Sequence, residues 1–201
     1  MFSLSKAVFQ TGFQLVLKRK NNFNCKIKVY NYIMKEELLD VLVVGSGISG
    51  IGAGAHLSMK CPNKKFLILE GRDNFGGTWD LFKYPGIRSD SDMHTLGFSF
   101  KPWVHKKSIA DGSSIMDYLE ETIKEYELTD KIRYKHHVHQ AEWSSSENLW
   151  TLKVEDKSSG ETKLFKSSFL YMCAGYYSYK GGHLPEFKGR EEFQGKIIHP
   201  Q

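Results

Sequence analysis

The chain has 201 residues, of which 40% are hydrophobic and 25% charged, and this composition is ordinary for a globular domain with a real core. No run approaches the ~18 apolar residues of a membrane-spanning helix, so we expect no transmembrane segment. The net charge of +5 is concentrated in residues 1–35, which contain seven cations and no acid, and the nearly neutral remainder predicts no nucleic-acid partner.

Residues 1–34 form a basic leader that differs from the rest of the chain. Two interpretations stay open: a mitochondrial-type presequence, which its one Arg and two Ser fit poorly, or a non-native extension before a start at Met34. The first would direct the protein to mitochondria, whereas three scattered cysteines predict a cytoplasmic protein with reduced thiols. Since neither the cysteines nor the cluster of His136, His137 and His139 has metal-ligand spacing, we expect no metal site.

The predicted elements that follow the leader alternate between strand and helix. Residues 40–44 predict a buried parallel strand, residues 49–59 a helix, and residues 66–70 a second buried strand. Residues 71–112 predict a long loop region. Because such loops are uncommon and this one is rich in aromatic residues, we expect it to be functional.

The second half of the chain predicts one helix and then short strands. The helix is expected over residues 115–126, with its N-cap within residues 111–114. Polar and apolar residues then alternate in stretches separated by Ser-rich turns, which predicts an antiparallel meander over residues 131–138, 140–143, 149–154 and 162–165. Residues 169–173 predict another buried strand.

The motif GSGISG at residues 45–50 lies between the first predicted strand and the first helix. Gly45 permits a tight turn, Gly47 lets a pyrophosphate approach the backbone, and Gly50 lets helix and strand pack closely. The helix N-terminus offers N–H donors and partial positive charge to phosphates. Glu70 ends the next predicted strand, and its carboxylate is expected to accept hydrogen bonds from both ribose hydroxyls of a dinucleotide. Together these features predict a Rossmann-like dinucleotide-binding unit.

A second motif, GGTWD at residues 76–80, follows Glu70 at the point where the chain returns toward the pyrophosphate. Its paired glycines permit a close backbone approach, and the side chain of Trp79 is suited to lie against a flat ring system. Because FAD and NAD share the first motif, the second one is needed to favour FAD.

A third motif, YPGIRSD at residues 84–90, is followed by the aromatic-rich stretch FSFKPW at residues 98–103. With the two motifs before it, this run resembles the class B flavoprotein monooxygenases, which include Baeyer–Villiger monooxygenases and flavin-containing monooxygenases. The resemblance is greatest to the Baeyer–Villiger branch that includes the ethionamide-activating enzyme, and it covers residues 38–201. The spacing Phe193-x-Gly195-x-x-x-His199 is similar to the start of the family's fingerprint between its FAD and NADPH domains.

The resemblance implies roles for particular residues. It implies that Ser49 and Gly50, at the start of the first helix, contact the FAD phosphates and that Glu70 binds a ribose. It also implies that a loop beside the flavin and pyrophosphate is formed by Gly77, Thr78, Trp79 and Asp80, and that the backbone at Val138 contacts adenine. It also implies that Asp90 is a catalytic acid at the flavin–nicotinamide junction, where it holds a catalytic arginine, and that Arg88 and Ser89 reach toward NADPH. Cys173-Ala174-Gly175 departs from the family's Ala-Thr-Gly, so a threonine hydroxyl is lost there.

The fold implied by the resemblance is an α/β, Rossmann-like FAD-binding domain over residues 35–201, with a parallel sheet, helices and an inserted antiparallel meander. The catalytic arginine, a second GxGxxG and the returning segment of the FAD domain are not found in this sequence. We therefore expect a fragment whose FAD domain is incomplete at its C-terminal end.

The implied function is that of an FAD- and NADPH-dependent monooxygenase. It would transfer one oxygen atom from O2 to a small organic substrate through a C4a-peroxyflavin, either in Baeyer–Villiger oxidation of a ketone or in oxygenation of sulfur or nitrogen. A flavin-containing monooxygenase of the N,N-dimethylaniline type is one alternative. A non-catalytic, truncated dinucleotide-binding fragment is the other.

Overall fold

The computed structural model describes residues 37–201 and three short strands in the leader. These strands are β1 (Ala7–Val8), β2 (Phe13–Val16) and β3 (Lys28–Asn31), and they form an antiparallel sheet of their own in the order β1-β2-β3. The remainder of the leader lies outside the described residues, and so do both interpretations of the leader.

The main sheet is mixed and has six strands in the order β6-β5-β4-β9-β8-β7. Its strands are β4 (Glu37–Val44), β5 (Phe66–Leu69), β6 (Ile132–Arg133), β7 (His136–Ser144), β8 (Leu149–Asp156) and β9 (Glu161–Met172). The β4 strand is parallel to both β5 and β9, and β5 is parallel to β6. The β8 strand is antiparallel to both of its neighbours. The α/β, Rossmann-like fold expected from the motifs is confirmed.

Four α-helices accompany the sheet in the described part of the chain. They are α1 (Ile48–Lys60), α2 (Thr78–Leu81), α3 (Met93–Leu96) and α4 (Gly112–Glu125). The α4 helix begins at Gly112, earlier than predicted, because the Gly112 N–H donates to the Ile87 carbonyl and holds the chain there. Asp111 is the N-cap residue, yet its side chain makes no capping hydrogen bond. Of the helices described, none is long and apolar enough to cross a membrane.

The core has one cluster on each face of the sheet. Side chains of β4 alternate between the two, so Val43 joins Ile51 of α1 and Leu119 of α4, while Leu42 packs with Leu152 of β8. The loop region 71–112 contributes more to packing than was expected, because Met93 and Trp103 are buried in the first cluster. Its aromatic content therefore reflects core formation in part.

The β9 strand corrects two predictions made from the pattern. Residues 162–165 and 169–173 were expected as separate strands, but one strand runs through both. The first part of β9 is paired with β8 in antiparallel orientation, and its later part is paired with β4 in parallel orientation. The meander is therefore continuous with the parallel sheet. Moreover, the end of β9 is not buried: Phe169 is 56% exposed and Met172 is 60% exposed.

Candidate dinucleotide-binding cleft

The turn after β4 has room only for glycine. Gly45 has a φ of +102°, and a Cβ there would lie 2.4 Å from the Cys173 carbonyl oxygen. A Cβ on Gly50 would lie 1.8 Å from the Gly45 carbonyl oxygen. The sequence folds into a tight strand–turn–helix here because neither position carries a side chain.

The N-terminus of α1 opens into a cleft of about 850 Å³. Gly47 is the N-cap residue, no side chain caps the helix, and its first turn contains no acid. Gly47 and Ser49 both line the cleft. The free N–H donors and the positive end of the helix dipole are therefore available to an anion such as a pyrophosphate.

Glu70 follows β5, and its carboxylate is buried beside the glycine turn. Both the backbone N–H and the hydroxyl of Ser46 donate to Glu70 Oε2, at 2.8 and 2.9 Å. The Arg72 N–H donates to Oε1 at 2.9 Å. A carboxylate has about four lone-pair sites, so about one remains for a ligand. The expected acceptance from both ribose hydroxyls stays a prediction, for which this arrangement leaves little room.

The GGTWD loop lies against the glycine turn. The Gly76 N–H donates to the Ser46 carbonyl at 2.9 Å, and a Cβ on Gly77 would lie 3.1 Å from Gly47 Cα. Gly77, Thr78 and Trp79 line the cleft opposite α1. The structure thus brings together the first two predicted motifs.

Asp80 lies behind this loop and is not among the residues that line the cleft. Its buried carboxylate forms ion pairs with Arg72 and Lys83 and accepts a hydrogen bond from Asn74 Nδ2 at 2.8 Å. Asp80 therefore holds the loop in place, and a direct contact to a cofactor stays a prediction. Arg72, which sequence reasoning missed, both lines the cleft and secures Asp80.

The YPGIRSD motif lies outside the cleft. Arg88, Ser89 and Asp90 line a separate depression of about 530 Å³ together with Tyr84 and Ile109. The Ser89 hydroxyl is buried and accepts a hydrogen bond from the Ala110 N–H at 2.9 Å, so this side chain supports the loop. Arg88 and Asp90 are exposed. Their predicted roles remain predictions.

The end of the cleft beyond Glu70 is formed by the meander, which contributes His136, His137, Val138 and Lys157. The His136 N–H donates to the Glu70 carbonyl at 2.8 Å, which attaches β7 to this end of the site. Partial burial and the nearby Lys157 lower the pKa of His137 below its usual value. Sequence reasoning singled out the Val138 position by resemblance, considered the histidines only as possible metal ligands, and missed Lys157.

The three histidines of the β7 cluster have different neighbours. The rings of His137 and His139 lie 4.7 Å apart, while His136 approaches Asp156 and Lys163. No group of three or more potential ligands able to hold a metal ion occurs in residues 37–201, the continuous part that the structure describes.

The segment after β9 contributes aromatic side chains to the cleft rim, namely Tyr176, Tyr177 and Tyr179. The Tyr177 ring lies 5.0 Å from that of Phe82 in an edge-on arrangement. Cys173 also lines the cleft, and burial raises the pKa of its thiol to about 11, so it stays protonated at neutral pH. No motif marked these tyrosines, because their position depends on how the chain leaves β9.

A parallel βαβ unit with a glycine turn, an uncapped helix N-terminus and an acid after the second strand defines a Rossmann-like dinucleotide-binding fold. A family profile described as an NAD(P)-binding Rossmann-like domain matches residues 43–106.

Proteins similar to this chain narrow the class further. It is 56% identical over 165 residues to the FAD-containing monooxygenase EthA of Mycolicibacterium smegmatis, a match that covers 82% of this chain and 33% of EthA. An oxidized steroid monooxygenase bound to NADP has a TM-score of 0.65 and 27% identity over 81% of this chain and 30% of that one. The open crystal structure of cyclohexanone monooxygenase has a TM-score of 0.66 and 26% identity, covering 82% of this chain and 32% of that one.

The chain is thus homologous to the FAD-containing monooxygenases and structurally similar to Baeyer–Villiger monooxygenases, which confirms the resemblance found in the motifs. It spans about a third of the length of these relatives.

Proposed function

We propose that residues 35–201 form the adenosine- and pyrophosphate-binding part of an FAD domain in an FAD- and NADPH-dependent monooxygenase. The observation that carries the proposal is the Glu70 carboxylate, held by Ser46 at the mouth of the glycine turn and directed into a cleft that continues to α1. In the proposed function, Glu70 would accept from the ribose next to a pyrophosphate bound at α1, an arrangement that dinucleotides require.

The described residues fit the adenosine diphosphate part of FAD. The N-terminus of α1 and the backbone at Gly47 and Gly77 would bind the pyrophosphate, and Glu70 would bind the ribose. Trp79 would bound the site on the flavin side. Bound flavin supplies the oxygen-activating chemistry, and the protein positions it and shields it from water.

The substrate class follows from the same proposal. The relatives include a cyclohexanone monooxygenase, so a ketone is favoured over a sulfur or nitrogen substrate, with O2 as the oxygen source and NADPH as the reductant. Asp90 would act near the nicotinamide, because it is exposed in a depression separate from the adenosine site and is free to meet a residue from elsewhere in a longer protein.

Titration of the full 201-residue chain with ADP tests the proposed site. ADP is the probe because it contains the parts of FAD for which residues are present. We expect calorimetric binding that Glu70→Gln weakens by about ten- to 150-fold, since one charge-assisted hydrogen bond is worth about 1.5–3 kcal/mol. Glu161→Gln, which removes an exposed acid on β9, is the matched control and should bind as the unmodified chain does. Absence of ADP binding by the folded, unmodified chain would refute the proposal.

A further inference from the structure

His137 lines the cleft, as does its neighbour His136 in the β7 cluster. It packs directly against Gly71, the residue after Glu70: a Cβ on Gly71 would lie 2.8 Å from His137 Nδ1. The imidazole therefore stands next to the proposed ribose site, and Gly71 leaves the space that the ring occupies.

Several hydrogen bonds hold this wall of the cleft in place. Lys157 Nζ donates to the Gly71 carbonyl at 2.8 Å, and the Lys157 N–H donates to the Lys135 carbonyl at 2.9 Å. The Lys135 N–H in turn donates to the Arg72 carbonyl at 2.8 Å. Because the β8–β9 turn, the start of β7 and the loop after Glu70 are joined, the His137 ring has a fixed position relative to that carboxylate.

The direction of a bound dinucleotide follows from this geometry. The pyrophosphate belongs at α1 and the ribose at Glu70, so the base must leave the ribose on the side away from the glycine turn. That side is formed by His136, His137, Val138 and Lys157. Aromatic side chains, histidine among them, provide stacking surfaces for nucleobases.

Resting on the function proposed above, we propose that His137 contacts the adenine base of the bound dinucleotide and provides a stacking surface that selects an adenosine-containing ligand. The two neighbouring histidines are otherwise engaged. His139 Nε2 lies 2.9 Å from Glu155, and His136 Nδ1 lies 2.7 Å from the Tyr134 carbonyl.

The charge of the imidazole agrees with this role. Partial burial, Lys157 and His139 lower the pKa of His137, and the acids Glu155 and Glu70 oppose the shift. At neutral pH the ring is therefore mainly uncharged, and a neutral ring meets the base without the cost of desolvating a cation.

Nuclear magnetic resonance of the full 201-residue chain tests the inference directly. Addition of ADP should shift the ring protons of His137 through the ring current of adenine and leave those of His94, an exposed histidine on α3, unchanged. Pyrophosphate, which lacks the base, should shift the Gly47 amide without moving the His137 ring.

Binding measurements give a second, independent readout. An aromatic contact of about 0.5–1.5 kcal/mol predicts a two- to tenfold increase, roughly, in the Kd for ADP in His137→Ala, and none for pyrophosphate. His137→Phe keeps an aromatic ring and should recover most of the affinity, while His94→Ala, at an exposed position on α3, serves as the matched control. The Phe variant also separates a lost contact from a local folding defect.

The outcomes distinguish the adenine contact of His137 from the dinucleotide site on which it depends. If ADP shifts the Gly47 amide but neither moves the His137 ring nor binds more weakly to His137→Ala, the adenine contact is wrong and the dinucleotide site stands. If ADP leaves the Gly47 amide unmoved, the dinucleotide site itself is wrong, and the adenine contact falls with it.

Discussion

At the scale of single residues, the carboxylate of Glu70 is already engaged before any ligand binds. Its three hydrogen bonds come from Ser46 and Arg72, and its side chain is almost wholly buried. An acceptor fixed in this way needs no reorientation when a ribose hydroxyl arrives, so less conformational entropy is lost on binding.

We expect Ser46→Ala to weaken ADP binding about three- to tenfold, because one of the hydrogen bonds that hold the Glu70 carboxylate is lost. With 2′-deoxy-ADP the difference in affinity between Ser46→Ala and the unmodified chain should be smaller, since this ligand lacks the 2′-hydroxyl that we expect to donate to Glu70. Ser58→Ala is the control, because Ser58 Oγ is buried without a hydrogen-bond partner among the described residues. Equal losses for ADP and 2′-deoxy-ADP would contradict a positioning role for Ser46.

Asp90 is expected to affect turnover more than flavin retention. It is exposed and lies outside the cleft, so Asp90→Ala in the longer, flavin-loaded protein should keep the flavin absorbance spectrum. NADPH oxidation should slow, because a positioned charge near the nicotinamide is removed. Asp117→Asn, at an exposed position on α4, is the comparison variant. Loss of flavin with normal turnover per bound FAD would show that the assignment is wrong.

At the scale of elements, the glycines of the first motif have different tasks. Gly50 makes the helix–strand contact, since its own Cβ would overlap the Gly45 carbonyl oxygen, whereas a Cβ on Gly47 would meet Gly77 Cα at an ordinary 3.7 Å. One position therefore concerns folding, and the other concerns access of a ligand to the backbone.

Alanine substitutions separate these two tasks. Alanine has the higher helix propensity by about 1 kcal/mol, so Gly50→Ala would stabilise α1 if the space were open. The clash instead predicts a net loss of about 1–3 kcal/mol in the free energy of unfolding, measured with urea. Gly47→Ala should stay within about 1 kcal/mol of the unmodified chain yet bind ADP severalfold more weakly. A stabilised Gly50→Ala protein would contradict the observed packing.

The last residue of β8, Asp156, has a carboxylate whose contribution to stability depends on pH. Asp156 accepts hydrogen bonds from Lys163 Nζ at 2.6 Å and from the Ser158 N–H at 2.9 Å, and these contacts hold its pKa well below the usual range. A carboxyl group whose pKa is lower in the folded than in the unfolded state stabilises the fold above its unfolded pKa. That stabilisation decreases as the pH falls toward the folded value.

We therefore expect Asp156→Asn to lower the free energy of unfolding by about 1–3 kcal/mol at pH 7. The difference from the unmodified chain should decrease as the pH falls below about 4, the pKa of an unfolded aspartate. Urea unfolding at pH 7 and pH 3 measures both values, with Glu161→Gln as an exposed control in the same hairpin. A loss that is equal at both pH values would exclude the charged contact as its cause.

At the scale of the whole molecule, apolar surface remains exposed on the face shared by α1 and β9. A cavity of about 630 Å³ lies there and is lined mostly by apolar side chains, among them Leu57, Phe98, Phe169 and Tyr171. Exposed apolar surface of this kind marks an interaction site or promotes association. The relatives are about three times as long as this chain. We propose that, in a protein of that length, additional sequence covers the apolar face shared by α1 and β9.

The 201-residue chain alone is expected to lack coupled oxygenation. The residues that fit a dinucleotide serve its adenosine and pyrophosphate end, and oxygenation also requires a flavin shielded from water. We predict weak FAD binding, no stoichiometric product from a simple ketone or a thioether with NADPH, and increased fluorescence of a hydrophobic dye. Product formation coupled to NADPH consumption would contradict this prediction and show that the chain is catalytically sufficient. If the chain has a non-catalytic binding role, it should bind ADP but form no product.

The local motifs determined much of this protein. Short-range chemistry at Gly45, Gly50 and Glu70 was enough to predict the βαβ unit, because a tight turn and an uncapped helix N-terminus depend on neighbouring residues. The resemblance carried by residues 76–103 correctly indicated the flavoprotein monooxygenases.

Contacts between residues distant in sequence decided the rest. The continuity of β9, the burial of Trp103 and the position of Asp80 behind its loop depend on which elements pack together, and a residue pattern does not encode that directly. Ser46 and His137 could be recognised as candidate site residues only from the tertiary structure, in which Ser46 contacts Glu70 and His137 contacts Gly71. A periodic pattern reports local conformation, whereas the partner of a buried polar group is set by the tertiary fold.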